Sequence, residues 1–472
     1  MMTTTLVVHA ELRARFAVAL AEMYGAEVPA YTTLVEVSRA VNADVAAALR
    51  ERGAEVDRYG SLERVTAERH GAIRVGSARE PEQVGRVFAA FGMHPVGFYD
   101  LRDASASSVP VVSTAFRPVD PAELAANPFR VFTSVLAVDD ARFFDAPTRE
   151  RLERFVEERH LFSEELLDLA DRAAAEGGLP AAEADELLRL ATDAFRLSTE
   201  PVDRAWYSHL ERISAVAADV GGVPATHINH LTPRVLDIDE LYRRMSERGI
   251  TMIDEVQGPP AWEGPDVLLR QTSFRALAEE RTFREADGSI STGALRVRFG
   301  EVEQRGIALT AAGRDLYDRL VAEVDARRAA GDARARVDVA RDVWREHLPR
   351  TEADLVLAGL ACGEVRLVGG AALPGREADG SLSLRALVDA GAVVVDPVVY
   401  EDFLPRSAAG IFQSNLTDSG TKDEGAGGAE YDAERLSAIL GRPVLDPIAL
   451  ATDQMQRSLD ALSAQLQTPV TL

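Results

Sequence analysis

Residues Ala225 to Val235 read ATHINHLTPRV. Two histidines and further polar side chains crowd a stretch that otherwise has the pattern of a strand leading into the helix DIDELYRRMSERG. A buried strand has little reason to carry imidazoles unless they bind something. Side chains alternate along a strand, so His227 and His230, three apart, point to opposite faces, whereas His230 and Arg234 share one. One histidine therefore faces a site and the other packs or hydrogen-bonds.

Two other stretches supply matching parts. His70 stands in RHGAIRVG, with Arg74 four residues on and on the same strand face. Glu301 and Glu303 stand in RFGEVEQRG, two apart and on one face, so periodicity does not choose between them. Two histidines and one carboxylate are the donor set that holds a divalent first-row metal on one side and leaves the other side open. An arginine beside such a metal suits a chelating oxo acid, because its planar fork grips a carboxylate at two points.

Working outward, the chain opens with helical patterns at Glu11 to Tyr24 and up to Gly53, then strands at His70 to Val75, Gly92 to Leu101, Val109 to Phe116 and Phe129 to Val138, with the helix EPEQVGRVFAAFG between the first two. Apolar residues at three- and four-residue spacing then predict a helical stretch. Strands are expected again from Ala225, at Thr251 to Gln257, Asp266 to Phe274, Glu279 to Arg284 and Ala294 to Val302. The order strand, helix, strands is that of a βαβββ module, and the region before the helical stretch supplies a second copy. The expected division is 1–139 for the N-terminal helices and first half of the β core, 140–219 for an inserted helical lobe, 220–310 for a metal-binding β module, and 311–472 for a C-terminal α/β segment completing the site. The segment SNLTDSGTKDEGAGGAEYD is expected to be a mobile loop.

Composition narrows the class. The chain has 472 residues, 46% of them apolar and 27% charged, as in an ordinary globular protein. No run approaches the roughly eighteen apolar residues of a membrane helix. A net charge of −24 leaves no basic surplus to displace counterions from nucleic acid. The opening MMTTTLVVHAELRAR lacks the pattern of a signal peptide, and the single cysteine, Cys362, precludes an internal disulfide, so a cytoplasmic protein is expected. Arg117, Arg270 and Arg305 sit at strand ends and suit either a carboxylate ligand or a buried acid. After FLP, the residues Arg406 to Ala409 leave a strand through Pro405, with the Ser407 side chain and the backbone free to approach a ligand. GGAALPG lacks the Lys-Ser/Thr of a phosphate loop.

Taken together, ERHGAIRVG, STAFRP, NPFRVFTS, HINHLTPR, LLRQTSF, FGEVEQRG and YEDFLP-x-SAAGIFQSNL resemble the 2-oxoadipate dioxygenase/decarboxylase family, also called D-2-hydroxyglutarate synthase. The resemblance spans residues from about 68 to 416. It implies an α+β fold with a vicinal-oxygen-chelate core of paired βαβββ modules. It also implies Fe(II) held by His70, His230 and Glu303, with Arg74 as the catalytic and substrate-gripping arginine. Substrate contacts are implied at His70, Arg74, Arg406 and Ser407, and this chain carries Arg406 where the family has an apolar residue. The implied reaction takes 2-oxoadipate and dioxygen to 2-hydroxyglutarate and carbon dioxide, in lysine breakdown. Two other classes fit the residues: a non-oxidative isomerase or lyase on Zn(II), Ni(II) or Mn(II) with Glu301 as base, and a non-catalytic dicarboxylate-binding protein that has no need of the triad. No nucleic-acid or membrane partner is expected.

Overall fold

The computed structural model describes residues 6–53, 60–76, 79–104, 109–276, 278–296, 298–415, 421–423 and 425–472. Its helices α1 (His9–Glu27) and α2 (Pro29–Glu51) precede the strand β1 (Arg69–Val75). Helix α3 (Glu80–Ala89) carries the chain to β2 (His94–Asp100), β3 (Val111–Arg117) and β4 (Arg130–Leu136). Every residue of β1, β3 and β4 is buried, which is why these segments read as apolar runs rather than alternating ones.

The helical stretch follows as α4 (Ala146–Glu158), α5 (Glu164–Glu176), α6 (Ala181–Ala194), α7 (Arg204–Ile213) and α8 (Ala215–Gly222), with two short strands among them. Ser163, Asp203 and Ser214 accept from backbone N–H groups at the starts of α5, α7 and α8 and so fix where each begins. Then come β5 (His230–Pro233), α9 (Ile238–Glu247), β6 (Leu269–Phe274), the hairpin β7 (Glu279–Arg284) and β8 (Ile290–Leu295), and β9 (Gly300–Arg305).

The registers reveal two copies of one pattern. In the first, β1 runs parallel to β4, β4 antiparallel to β3, and β3 antiparallel to β2. In the second, the end of β5 bridges β9 in parallel through Arg234 and Glu303, β9 runs antiparallel to β6, and Met252 and Gln257 bridge β6 on its far side. The copies meet where β1 pairs antiparallel with β5, giving the sheet order β2-β3-β4-β1-β5. Odd residues of β1 and β4, such as Ile73, Val75, Val131 and Val135, pack with α1 and α2 in one core. Even ones, such as Ala72, Phe132 and Leu136, face a second core that extends into the C-terminal segment. That second face carries His70.

Five expectations change, the first being that Thr251 to Gln257 forms no strand but only two isolated bridges, at Met252 and Gln257. The strand expected from Ala225 begins only at His230, because Ile228 and Asn229 bond instead to the Phe195 and Ala72 carbonyls. The single strand expected over Ala294 to Val302 is two, β8 and β9, parted where the buried Arg298 turns to pair with Glu27 and Glu279. Gly300 re-enters the sheet against the Phe274 ring, which a Cβ would meet at 1.9 Å. The turn expected after Pro405 is a helix: after α10 (Ala311–Ala329) and α11 (Arg336–His347) the chain forms α12 (Pro405–Asn415). Of the expected mobile loop, 416–420 and 424 lie outside the described residues. Part of the remainder is anchored, with Arg102 donating to the Ala429 carbonyl at 2.6 Å and Tyr431 to Asp139 at 2.5 Å. Among the described residues no helix is long and apolar enough to cross a membrane.

Candidate metal centre

The junction of β1 and β5 builds the site. His70 pairs with Thr232 and Ala72 with His230, so the two histidines are diagonal neighbours on one sheet face. Their rings stand perpendicular with centroids 5.3 Å apart. Glu301, from β9, lies across from both: its Oε1 is 3.3 Å from His70 Nε2 and its Oε2 3.6 Å from His230 Nε2. Donor atoms of all three residues lie within 4.8 Å of one another.

The other ring nitrogens are engaged elsewhere. His230 Nδ1 is 3.0 Å from Thr232 Oγ1, and His70 Nδ1 is 2.8 Å from Glu303 Oε2. Each imidazole therefore turns its Nε2 toward the same point. Neither His70 nitrogen has an aligned hydrogen bond, although the ring is fully buried. Buried donors and acceptors rarely stay unpartnered, so His70 Nε2, the nitrogen that faces Glu301, suits a metal.

Electrostatics favour the same use. Burial pushes the His230 imidazole down to about 4, against the pull of Glu301, and leaves it neutral and able to ligate. Burial would also lower His70, but Glu303 and then Glu301 outweigh it and hold its pKa above the ordinary value. A cation in place of that proton meets the same negative field. Aromatic walls close the space: Phe403 is edge-on to His70 at 5.0 Å and Phe299 stacks on His230 at 5.0 Å. With Phe132, and with Ala408 and Ile411 of α12, they enclose a cavity of about 20 Å³.

The structure parts the two glutamates otherwise than expected. Glu303, anticipated as the third ligand, has both oxygens taken. Arg305 grips it at two points, 2.7 Å each, and Arg130 adds a third contact at 3.1 Å. Burial alone would raise the Glu303 carboxyl, but Arg305, His70 and Arg130 hold it well below the usual range. It belongs to a buried lattice in which Arg130 also pairs with Glu68 and Glu401, and Arg234 with Glu68. Its link to the site runs through His70 Nδ1, as carboxylates behind metal-bound histidines commonly do.

The expected arginines are all paired. Arg74 is buried on the His70 face of β1 and donates from Nη1 to Asp219 Oδ2 at 2.6 Å, and its charge helps to depress His230. Asp219 on α8 also accepts from Asn229 at 3.0 Å and lies 3.4 Å from His227 Nε2, so His227 stands outside the Glu301 cluster. Arg117 is forked on Asp402, Arg270 on Asp239 and Arg305 on Glu303. The Arg406 side chain is 64% exposed and turns to Asp325 of α10 at 3.2 Å. Ser407 is buried and lines a second cavity of about 710 Å³, together with Gly410, Gln257 and Trp344. α12 therefore presents Ala408 and Ile411 to the small cavity and Ser407 and Gly410 to the large one. The sequence reading missed Asp219, Gln271 and Arg130. Asp219 had a visible signal, being the one charged residue of AVAADVGG.

A family model described as 2-oxoadipate dioxygenase/decarboxylase matches residues 16–415. The chain belongs to this family. It is 54% identical over 440 residues to a 2-oxoadipate dioxygenase/decarboxylase of Mycobacterium tuberculosis, covering 93% of this chain and 95% of that one. It is 41% identical over 464 residues to the protein of that name from Pseudomonas putida, covering 96% and 97%. Among solved structures it is similar to the hydroxyglutarate synthase of P. putida in complex with 2-oxoadipate, with TM-score 0.83, 38% identity and coverage of 98% of this chain and 100% of that one.

Proposed function

We propose that this chain is an Fe(II)-dependent dioxygenase that converts 2-oxoadipate and O2 to 2-hydroxyglutarate and CO2, with His70, His230 and Glu301 as metal ligands. The observation that carries the reading is the convergence of two Nε2 atoms and the Glu301 carboxylate in a buried, aromatic-walled cavity. Two imidazoles and one carboxylate suit divalent iron and leave further positions for a bidentate ligand and dioxygen. When bound, the iron supplies Lewis acidity toward the 2-oxo acid and activation of dioxygen. One oxygen atom ends in the new carboxylate of the shortened acid and the other in its C2 hydroxyl, so the equation balances without a further reductant.

The chain's own residues prepare that reaction. Thr232 and Glu303 fix the two imidazole orientations. Arg74 binds a substrate carboxylate, and Asp219, itself held by Asn229, sets the guanidinium in place before substrate arrives. Phe132, Phe299 and Phe403 exclude water, which strengthens every charge interaction inside. A cavity of about 20 Å³ has room for roughly one water, so a six-carbon diacid enters only when its walls move apart. Ser407 then contacts it through its side chain or backbone, whereas the Arg406 guanidinium stays on Asp325. A role in lysine breakdown belongs to the same reading.

The isomerase or lyase reading needs a free general base at the metal. Glu301 is committed as a ligand and Glu303 to its arginines, so no second carboxylate among the described cavity residues fills that role. The test is anaerobic reconstitution with Fe(II), then 2-oxoadipate and air. Oxygen consumed in equal measure with CO2 released, and 2-hydroxyglutarate by mass, is the expected result. Substrate turnover without oxygen uptake sinks the proposal.

A further inference from the structure

Gln271 occupies β6 directly opposite Glu303 in the β6–β9 ladder. Its main chain is fixed on the other side too, since its N–H donates to the Gln257 carbonyl at 3.0 Å and its carbonyl accepts from the Gln257 N–H at 2.7 Å. The side chain has no freedom to wander. It is 2% exposed, and its amide Nε2 donates to Glu301 Oε1.

That contact settles which way the amide points. The NH2 group, the donor, faces Glu301 Oε1, and the carbonyl oxygen is left to other partners. Gln271 Oε1 is buried with no hydrogen-bond partner, and the residue lines the cavity formed by His70, His230 and Glu301. Among the described residues lining that cavity it is the sole amide side chain. An acceptor buried there without a donor is costly, so the arrangement is explained by a donor that arrives with the metal or its ligand.

We infer that Gln271 is a positioning residue with two faces: its amide pins Glu301, and its carbonyl accepts a hydrogen bond from a hydroxyl bound at the metal. The hydroxyl belongs to a water in the resting centre and to a 2-hydroxy acid after turnover. The inference rests on the metal reading above. It explains why a cavity that holds His70, His230 and Glu301 and is otherwise walled by phenylalanine and aliphatic side chains retains one amide. It also predicts a specific preference: the loaded site holds 2-hydroxyglutarate more tightly than glutarate, which differs from it only by that hydroxyl.

The test uses Co(II) as the probe metal, with visible absorption to follow binding and coordination. Wild type and Gln271→Met, which keeps length and volume but neither hydrogen bond, are titrated with Co(II), and then with 2-hydroxyglutarate or glutarate. Gln271→Leu serves as a second apolar replacement, and the melting temperature of each metal-free variant checks its fold. In the variants Co(II) affinity should fall roughly 10–100-fold, as for other groups that orient ligands. The absorption bands of the cobalt protein should shift without any organic acid present, which reports the water contact. The preference for 2-hydroxyglutarate over glutarate should shrink roughly five- to tenfold, the value of about one hydrogen bond. Folded variants with unchanged affinity, spectrum and preference overturn this inference alone. A wild-type protein that binds no Co(II) at the cluster overturns the metal reading, and this inference with it.

Discussion

Glu301 and Glu303 are two residues apart, and exchanging each for glutamine separates their roles. Glu301→Gln removes the carboxylate that faces both Nε2 atoms at 3.3 and 3.6 Å, so on the proposed assignment the centre keeps two ligands of three. Its contacts within the metal-free protein are few, chiefly the amide of Gln271. Metal should be lost while resistance to urea stays near the wild-type value. Glu303→Gln does the reverse in proportion. It takes charge from the grip of Arg305 at 2.7 Å twice over and from Arg130 at 3.1 Å, leaving two buried guanidinium groups undercompensated. Removing one partner of a buried ion pair costs about 3–5 kcal/mol, visible as a lower urea midpoint at unchanged slope. The loss of its contact with His70 Nδ1 should weaken metal binding by roughly 10–100-fold without abolishing it. The assays are metal content after anaerobic Fe(II) loading and urea unfolding of the metal-free proteins. Full metal loading in Glu301→Gln, with none in a folded Glu303→Gln, would falsify the assignment and return Glu303 to the coordination shell.

Three further outcomes are expected. Arg74→Lys keeps the charge near Asp219 but not the planar fork, so kcat/KM for 2-oxoadipate should drop at least tenfold with iron content unchanged; equal kinetics means that another arginine holds the substrate. Arg406→Val breaks a solvent-exposed pair with Asp325 worth less than about 1 kcal/mol, and activity should stay within a few fold; a thirtyfold fall with iron retained assigns the guanidinium to the substrate. Burial pushes His227 from 6.5 down to about 4, so between those values the unfolded chain binds a proton there that the folded chain refuses. Stability of the metal-free protein should therefore fall as pH falls through that window, at about 1.4 kcal/mol per pH unit for one proton. His227→Asn should make the slope shallower by that proton, and an unchanged slope removes His227 as its source.

Much of the site could be read in the chain because strand periodicity is local. Alternation put His70 with Arg74 on one face of β1, whereas His227 lies before β5 and is parted from His230 by its place on Asp219 rather than by strand alternation, while His230 faces Glu301. The same periodicity was silent on the two glutamates, since residues two apart share a face. What separates them is Arg130, which comes from β4, over 170 positions away from Glu303 in the chain, and the grip of Arg305. Small residues after Pro405 suggested a turn. Only packing against β6, with Asn415 donating to Ser273 Oγ at 2.8 Å, makes that segment a helix that walls the site.

By itself the sequence determined the α+β character, the strands carrying His70 and His230, and the family, because motifs and periods are properties of neighbouring residues. The tertiary structure decided how the two βαβββ copies join, since an antiparallel β1–β5 register cannot be read from either strand alone. It also decided which glutamate faces the histidines and which arginine each acid binds. Those choices depend on charges brought together from opposite ends of the chain, where burial makes every unpaired one costly and therefore fixes the pairing.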